Sequence, residues 1–193
     1  MRRLALFILL CLSSFSYGQF TVGFKIGGLA FHQQKVSPNY YSWSIDKKGH
    51  WVGYLGFSVT AGYQFNEFVG VKLIQTVLPY DCAGKFSGIT HVGIELQDRI
   101  IGLDMDRHNL SASIGPLFYY RKNWRKVPNY YEDEGFMKTG KNSVWERKFI
   151  WYGGQIQYDW FWNDRSAVST NFLPGYPYIY TFMTGVQTHL GAE

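Results

Sequence analysis

The stretch Gly53 to Leu73, GYLGFSVTAGYQFNEFVGVKL, constrains the fold more than any other feature, because it holds two runs of alternating side chains hinged at Asn66 and Glu67. Leu55, Phe57, Val59, Ala61, Tyr63 and Phe65 fall on one face of an extended strand. Tyr54, Gly56, Ser58, Thr60, Gly62 and Gln64 fall on the other, since successive strand side chains point to opposite sides. Beyond the hinge, Val69, Val71 and Leu73 continue the apolar face while Gly70, Lys72 and Thr76 continue the small, polar one. Ile74 and Gln75 break the pattern.

The same division recurs along the chain. Phe20, Val22, Phe24 and Ile26 alternate with Thr21, Gly23, Lys25 and Gly27, and Phe86, Thr90, Val92, Ile94 and Leu96 oppose Ser87, His91, Gly93, Glu95 and Gln97. Leu110, Ala112, Ile114, Phe118 and Tyr120 oppose Ser111, Ser113, Gly115, Tyr119 and Arg121. Ile150, Tyr152, Ile156, Tyr158, Trp160 and Trp162 oppose Gly153, Gln155, Gln157 and Asp159. With Val168 and Phe172 against Ser169 and Asn171, and Tyr178, Tyr180, Phe182, Val186 and Leu190 against Thr181, Gly185, Gln187 and His189, eight strands are predicted. A composition rich in Tyr, Phe, Trp and Gly favours strands as well.

Which face meets water separates a soluble barrel from a membrane barrel. A soluble, lipocalin-like barrel turns its apolar face inward and needs many charges on the other for solubility. Here the second face is mostly Gly, Ser, Thr and Gln, which suits a narrow lumen, while the aromatic and branched face suits acyl chains. The expected fold is therefore all-β, an eight-stranded antiparallel up-and-down transmembrane β-barrel. Tyr120, Tyr152, Tyr178 and Tyr180 at one end and Trp160 and Trp162 at the other are expected to form interfacial aromatic girdles.

The opening MRRLALFILLCLSSFSYGQF reads as a secretory signal peptide over residues 1–18, which leaves 19–193 as the barrel domain. Its apolar segment, Leu4 to Leu12, is far shorter than the roughly 20 residues of a membrane helix. Loss of Cys11 would leave Cys82 alone, so stability is not expected from a disulfide. Removing Arg2 and Arg3 takes 19 basic residues to 17 against 14 acids, a mild +3 that gives no reason to expect nucleic acid.

Connections alternate between long and short, as outer loops and inner turns do. The segment QQKVSPNYYSWSIDKKGH and Lys122 to Val144 are long, whereas Asn66-Glu67 and Asn163-Asp164 are short. The stretch Asp98 to Asn109 is unexpectedly long for an inner turn, yet too short to add a strand of its own.

The leader, the alternating strands and the tyrosine-rich ends resemble the small outer-membrane β-barrel proteins of OmpA and OmpX type. The likeness is architectural and covers Gln19 to Leu190. It implies the outer membrane of a Gram-negative bacterium, contact with outer-membrane lipids and lipopolysaccharide, and handling by the outer-membrane insertion machinery. The final strand departs from the family by ending GVQTHLGAE rather than in an aromatic residue. No catalytic or ligand motif comes with the resemblance.

Lys25, Lys72, His91, Glu95, Arg147, Asp159 and His189 fall on the predicted lumen face. Buried charges must find partners, so Glu95 and Asp159 are expected to pair with the lysines and Arg147. The expected role of this network is a structural plug. His91, Glu95, Ser111 and Ser113 offer a base, an orienter and nucleophiles for a lipid-modifying enzyme of the lipid A deacylase kind, but His91 and Glu95 are about 13 Å apart along one strand. No nucleophile elbow occurs. The five histidines lack metal-ligand spacing, so no cofactor or metal is expected, and the chain reads as non-enzymatic. Among the loops, the basic cluster Arg121, Lys122, Arg125 and Lys126, followed by Glu132, Asp133 and Glu134 and then Lys138 and Lys141, offers a rim surface for lipid phosphates or a partner protein.

Overall fold

The structure, a computed structural model, describes residues 19–32, 44–47, 50–81, 83–98, 106–126, 135–174 and 179–190. The expected leader, Cys82, the acidic run Glu132 to Glu134 and Tyr178 lie outside the described residues. The strands are β1 (Gln19–His32), β2 (Trp51–Gln64), β3 (Val69–Tyr80), β4 (Phe86–Gln97), β5 (His108–Lys122), β6 (Met137–Lys138), β7 (Trp145–Phe161), β8 (Ser166–Pro174) and β9 (Ile179–Leu190).

Among the described residues these form one antiparallel sheet of nine strands, ordered β5-β4-β3-β2-β1-β9-β8-β7-β6, and a further β5–β7 pairing closes eight of them into a barrel. Closure removes both sheet edges, which is the only way a sheet can cross a bilayer with its backbone groups satisfied. The two-residue β6 lies outside the ring and pairs with the start of β7. Among the described residues no helix is long and apolar enough to cross a membrane.

Both tight turns, 65–68 and 162–165, lie at the end where β1 begins. Each is built on an asparagine: the Asn66 side chain accepts from the Phe68 and Val69 amides, and that of Asn163 from the Arg165 and Ser166 amides. These are Asx turns, which explains how short polar connections reverse the chain here. The opposite end carries the long connections 33–50 and 123–144.

Adjacent residues on β1 show how the wall is divided, with Lys25 0% and Ile26 62% exposed. Phe57, Val59, Val71, Leu73, Val92, Ile94 and Ile114 likewise face outward, while Ser58, Thr60, Lys72, His91, Glu95 and Ser113 are buried inside. An apolar exterior around a polar interior is what hydrocarbon selects and what water would penalise. From Phe20 to Phe31 the chain climbs about 36 Å, or roughly 28 Å along the axis at a 40° tilt, which matches an apolar band of about 25 Å. Val92→Arg, in the middle of that band, should therefore cost about 2–4 kcal/mol in phospholipid vesicles, read by urea titration of the folded fraction.

Three departures from strict alternation have structural causes. Ile74 turns inward and is buried, while Gln75 faces outward and is satisfied there: its amide donates to the Tyr120 hydroxyl at 2.7 Å and its carbonyl accepts from Thr90 Oγ1 at 2.7 Å. The third is a register shift in which Gly115 opposes Gly153 but Leu117 opposes Ile150, so β7 holds one extra residue. Such a bulge reverses inside and outside above it. Trp151 and Tyr152 both point outward, at 76% and 83% exposure, and Ile150, expected on the lipid side, packs inside instead.

Candidate functional site

The lumen is stacked in two layers with different chemistry. Toward the tight-turn end, Lys72 Nζ forms an ion pair with Glu95 Oε1, and Glu95 also accepts from Gln64 Nε2 at 2.8 Å and Ser111 Oγ at 2.9 Å. Lys25 Nζ donates to Gln157 Oε1 at 3.0 Å, and Lys72 reaches the same oxygen at 3.3 Å. The Gln157 amide in turn donates to the Asp159 carboxylate at 2.8 and 2.9 Å and to Gln187 Oε1 at 2.9 Å. Two lysines and two carboxylates thus share one glutamine-bridged network from which water is largely excluded.

Two expectations need correction. Asp159 is held by Gln157, not by Arg147. Arg147 itself is exposed on the outer face, because the β7 bulge reverses the alternation above residue 150 and gives the inward position to Glu146. His189, on β9, is half-buried beside Gln187.

Above the charged layer, His91 Nδ1 lies 3.2 Å from the Pro116 carbonyl oxygen. A carbonyl only accepts, so Nδ1 carries the proton and Nε2 accepts from Ser113 Oγ at 2.8 Å. Gly93 makes this approach possible, since a Cβ there would lie 2.6 Å from His91 Nε2 and closer still to Ser113 Oγ. Pro116 lies within the β5–β7 register shift, between Gly115 and Leu117. Glu95, expected as the orienter, is bonded to Ser111 and not to His91. The contact has the polarity of a nucleophile–base pair, yet both side chains are almost fully buried, so as it stands it is an interior hydrogen bond.

The long-loop half of the lumen holds two apolar clusters below its mouth. Ala30, Val52, Tyr54, Leu78 and Met183 form one buried cluster, and Ile89, Leu117, Tyr119, Phe136 and Leu173 another, with Ile150 packed against it. The Tyr54 hydroxyl, the polar end of the first cluster, donates to the Phe182 carbonyl at 2.8 Å. Leu78, Ile89 and Leu117 keep the inward parity of Lys72, His91 and Ser113 on their strands, but an apolar side chain on the otherwise polar face gives no hydropathy signal of the side it takes.

The mouth is capped by Trp124 and Phe136, from the two described ends of the 123–144 connection. Trp124 and Phe136 are buried, and the Arg121 guanidinium lies 4.6 Å over the Trp124 ring and 3.5 Å over that of Phe136. Glu146, 2% exposed, accepts from Arg121 Nε at 2.9 Å and Arg125 Nε at 2.6 Å. Arg121 and Arg125 are therefore committed to this latch. Arg121 is a correction to the expected loop surface: it ends β5 on the inner face and is buried. Lys122 faces outward from the same strand and Lys126 is exposed.

The latch is tied to the connection between β3 and β4, where Trp124 Nε1 donates to Asp81 Oδ2 at 2.8 Å. Burial pushes the Asp81 carboxyl above its usual range, opposed by hydrogen bonds from Lys85, Ser87, Trp124 and Ala83. A folded-state value raised above the unfolded 3.8 gives stability that is complete below 3.8 and is lost as pH rises through the folded value. The protection of the Trp124 indole proton, taken relative to its intrinsic exchange at each pH, should accordingly fall as pH rises through that window, and Asp81→Asn should remove the fall; both are readable by NMR. Among the described residues no group of His, Cys, Asp and Glu side chains is placed to hold a metal.

No protein-family model and no curated protein matches the chain. Solved structures do. Ail, the attachment invasion locus protein of Yersinia pestis, is similar at 12% identity over 90% of this chain and 97% of that one, with a TM-score of 0.47. The outer membrane protein OprG from Pseudomonas aeruginosa is similar at 11% identity over 91% and 97%, TM-score 0.48, and Neisserial surface protein A at 7% over 90% and 97%, TM-score 0.46. These likenesses concern the fold alone.

Proposed function

We propose that the chain is an integral protein of a Gram-negative outer membrane, delivered there by a cleaved leader over residues 1–18, and that it is not an enzyme. Its sealed lumen stabilises the barrel, and its long-loop end meets the envelope surface, where it contacts lipopolysaccharide or a partner protein in a structural or adhesive role. The single observation that carries this reading is the inversion of the wall, with large apolar and aromatic side chains outside and lysines and carboxylates inside. The capped mouth supports a plug rather than a pore: an eight-stranded barrel is just wide enough for its own side chains. Fractionation of cells followed by electrophoresis with and without boiling tests the reading. Recovery in the outer membrane and a compact, faster unboiled band are expected. Soluble periplasmic recovery with identical bands would contradict it.

A second reading, acyl transfer on an outer-membrane lipid, draws on the His91–Ser113 hydrogen bond alone. Mass spectra of lipid A from cells with the wild-type chain and with Ser113→Ala decide it, and identical profiles would remove it.

A further inference from the structure

The basic residues of the mouth divide into two sets. Arg121 and Arg125 are consumed by Glu146, so they offer little to an external anion. Lys122 and Arg147 both face outward on neighbouring strands, and among the described residues neither has an ion-pair partner. Lys122 opposes Trp145 and Arg147 opposes Tyr120 across the β5–β7 ladder, which makes the two cations diagonal neighbours. Diagonal positions on one sheet face are about 7–8 Å apart, within reach of two long side chains converging on a single group.

Their height decides what that group is. Leu110, lower on the outward face of β5, opposes Tyr158, one outward position above Trp160 on β7. Lys122 stands roughly 30 Å above it along the axis and Arg147, opposite Tyr120, about 25 Å, just where an apolar band of about 25 Å ends. Aromatic rings flank the cations at their own level and continue below them. Trp145 packs 5.6 Å from Phe86 and 6.4 Å from Tyr120, and Lys122 Nζ sits 5.6 Å over the Trp145 ring. Tyr120 can lie flat because it covers Gly88, where any Cβ would collide with its ring. Exposed Phe118 and Phe149 extend this aromatic surface toward the bilayer centre. Cations at the headgroup level above an acyl-compatible surface match a phosphate that carries hydrocarbon beneath it.

Resting on the membrane reading above, we propose that Lys122 and Arg147 form a site on the outer rim of β5 and β7 for the phosphate of an outer-leaflet glycolipid of the lipid A type, whose acyl chains run down over Tyr120, Phe118 and Phe149. The full chain in nanodiscs containing bisphosphorylated lipid A provides the test, with retained lipid counted by native mass spectrometry. Lys122→Gln with Arg147→Gln should weaken retention about tenfold or more, whereas Lys138→Gln with Lys141→Gln should not. Enzymatically dephosphorylated lipid A should bind the wild-type chain as weakly as the intact lipid binds the double variant. Millimolar inorganic phosphate should not displace the lipid. Equal retention by the double variant, equal binding of the dephosphorylated lipid, or displacement by free phosphate would each overturn the site. A compact unboiled band from both variants establishes that the barrel is intact, so loss of lipid with that band present is a property of the rim. Absence of the band from the wild-type chain would instead count against the membrane reading.

Discussion

Replacing Glu95 with leucine is expected to destabilise the barrel by about 3–5 kcal/mol, the cost of leaving a buried charge without its counter-ion. Lys72 is 1% exposed and has Glu95 as its ion-pair partner. Its other contact, Gln157 Oε1, is already used by Lys25. The same carboxylate satisfies Gln64 and Ser111, so its loss also orphans two neutral donors. Lys72→Met combined with Glu95→Leu should recover most of the loss, because the pair is then replaced by packing rather than broken. Urea titrations in vesicles of the two single variants and the double variant measure the coupling. Additive effects would show that the ion pair contributes nothing beyond its two side chains.

Glu146→Ala should release the cap. Two guanidinium groups converge on this one carboxylate, and Arg121 is nearly fully buried between two aromatic rings. Removing the carboxylate leaves Arg121 as an uncompensated buried cation, again a loss of about 3–5 kcal/mol, but confined to the cap because the ladder below is untouched. Hydrogen exchange in residues 121–126 and 135–147 should accelerate by two orders of magnitude or more, converting that loss at about 1.4 kcal/mol per tenfold. Protection of β1, β2 and β9 should stay as in the wild type. Uniform acceleration throughout the barrel would mean that cap and wall unfold together.

Much of the architecture is legible in the sequence, for a physical reason. A strand has a period of two by geometry, and a wall between hydrocarbon and a narrow lumen imposes opposite demands on its two faces. Phe57, Val59 and Val71 could therefore be assigned outside, and Ser58, Thr60 and Lys72 inside, from alternation alone. What failed was parity across bulges. Trp151-Tyr152-Gly153-Gly154 breaks the alternation openly, with two large aromatic residues followed by two glycines, and that local signal could have shown that Arg147 and Ile150 belong on faces opposite to those expected. Glu146 was missed for the same reason, and with it the latch that buries Arg121. The apolar clusters of the upper lumen were hidden because a residue such as Leu117 looks the same from sequence whether it faces acyl chains or Phe136. Only closure of the barrel and the burial of Phe136 against Leu117 settle that.

The orientation of the wall is tested most directly by nitroxide labels placed one at a time along β4, from Phe86 to Gln97, in the protein reconstituted in lipid. Labels at Val92, Ile94 and Leu96 should collide with dissolved oxygen and be shielded from a water-soluble nickel chelate, while labels at the alternate positions, His91, Gly93 and Glu95, should be shielded from both. Strong collision with the nickel chelate at Val92 and Ile94 would place that face in water and contradict the account.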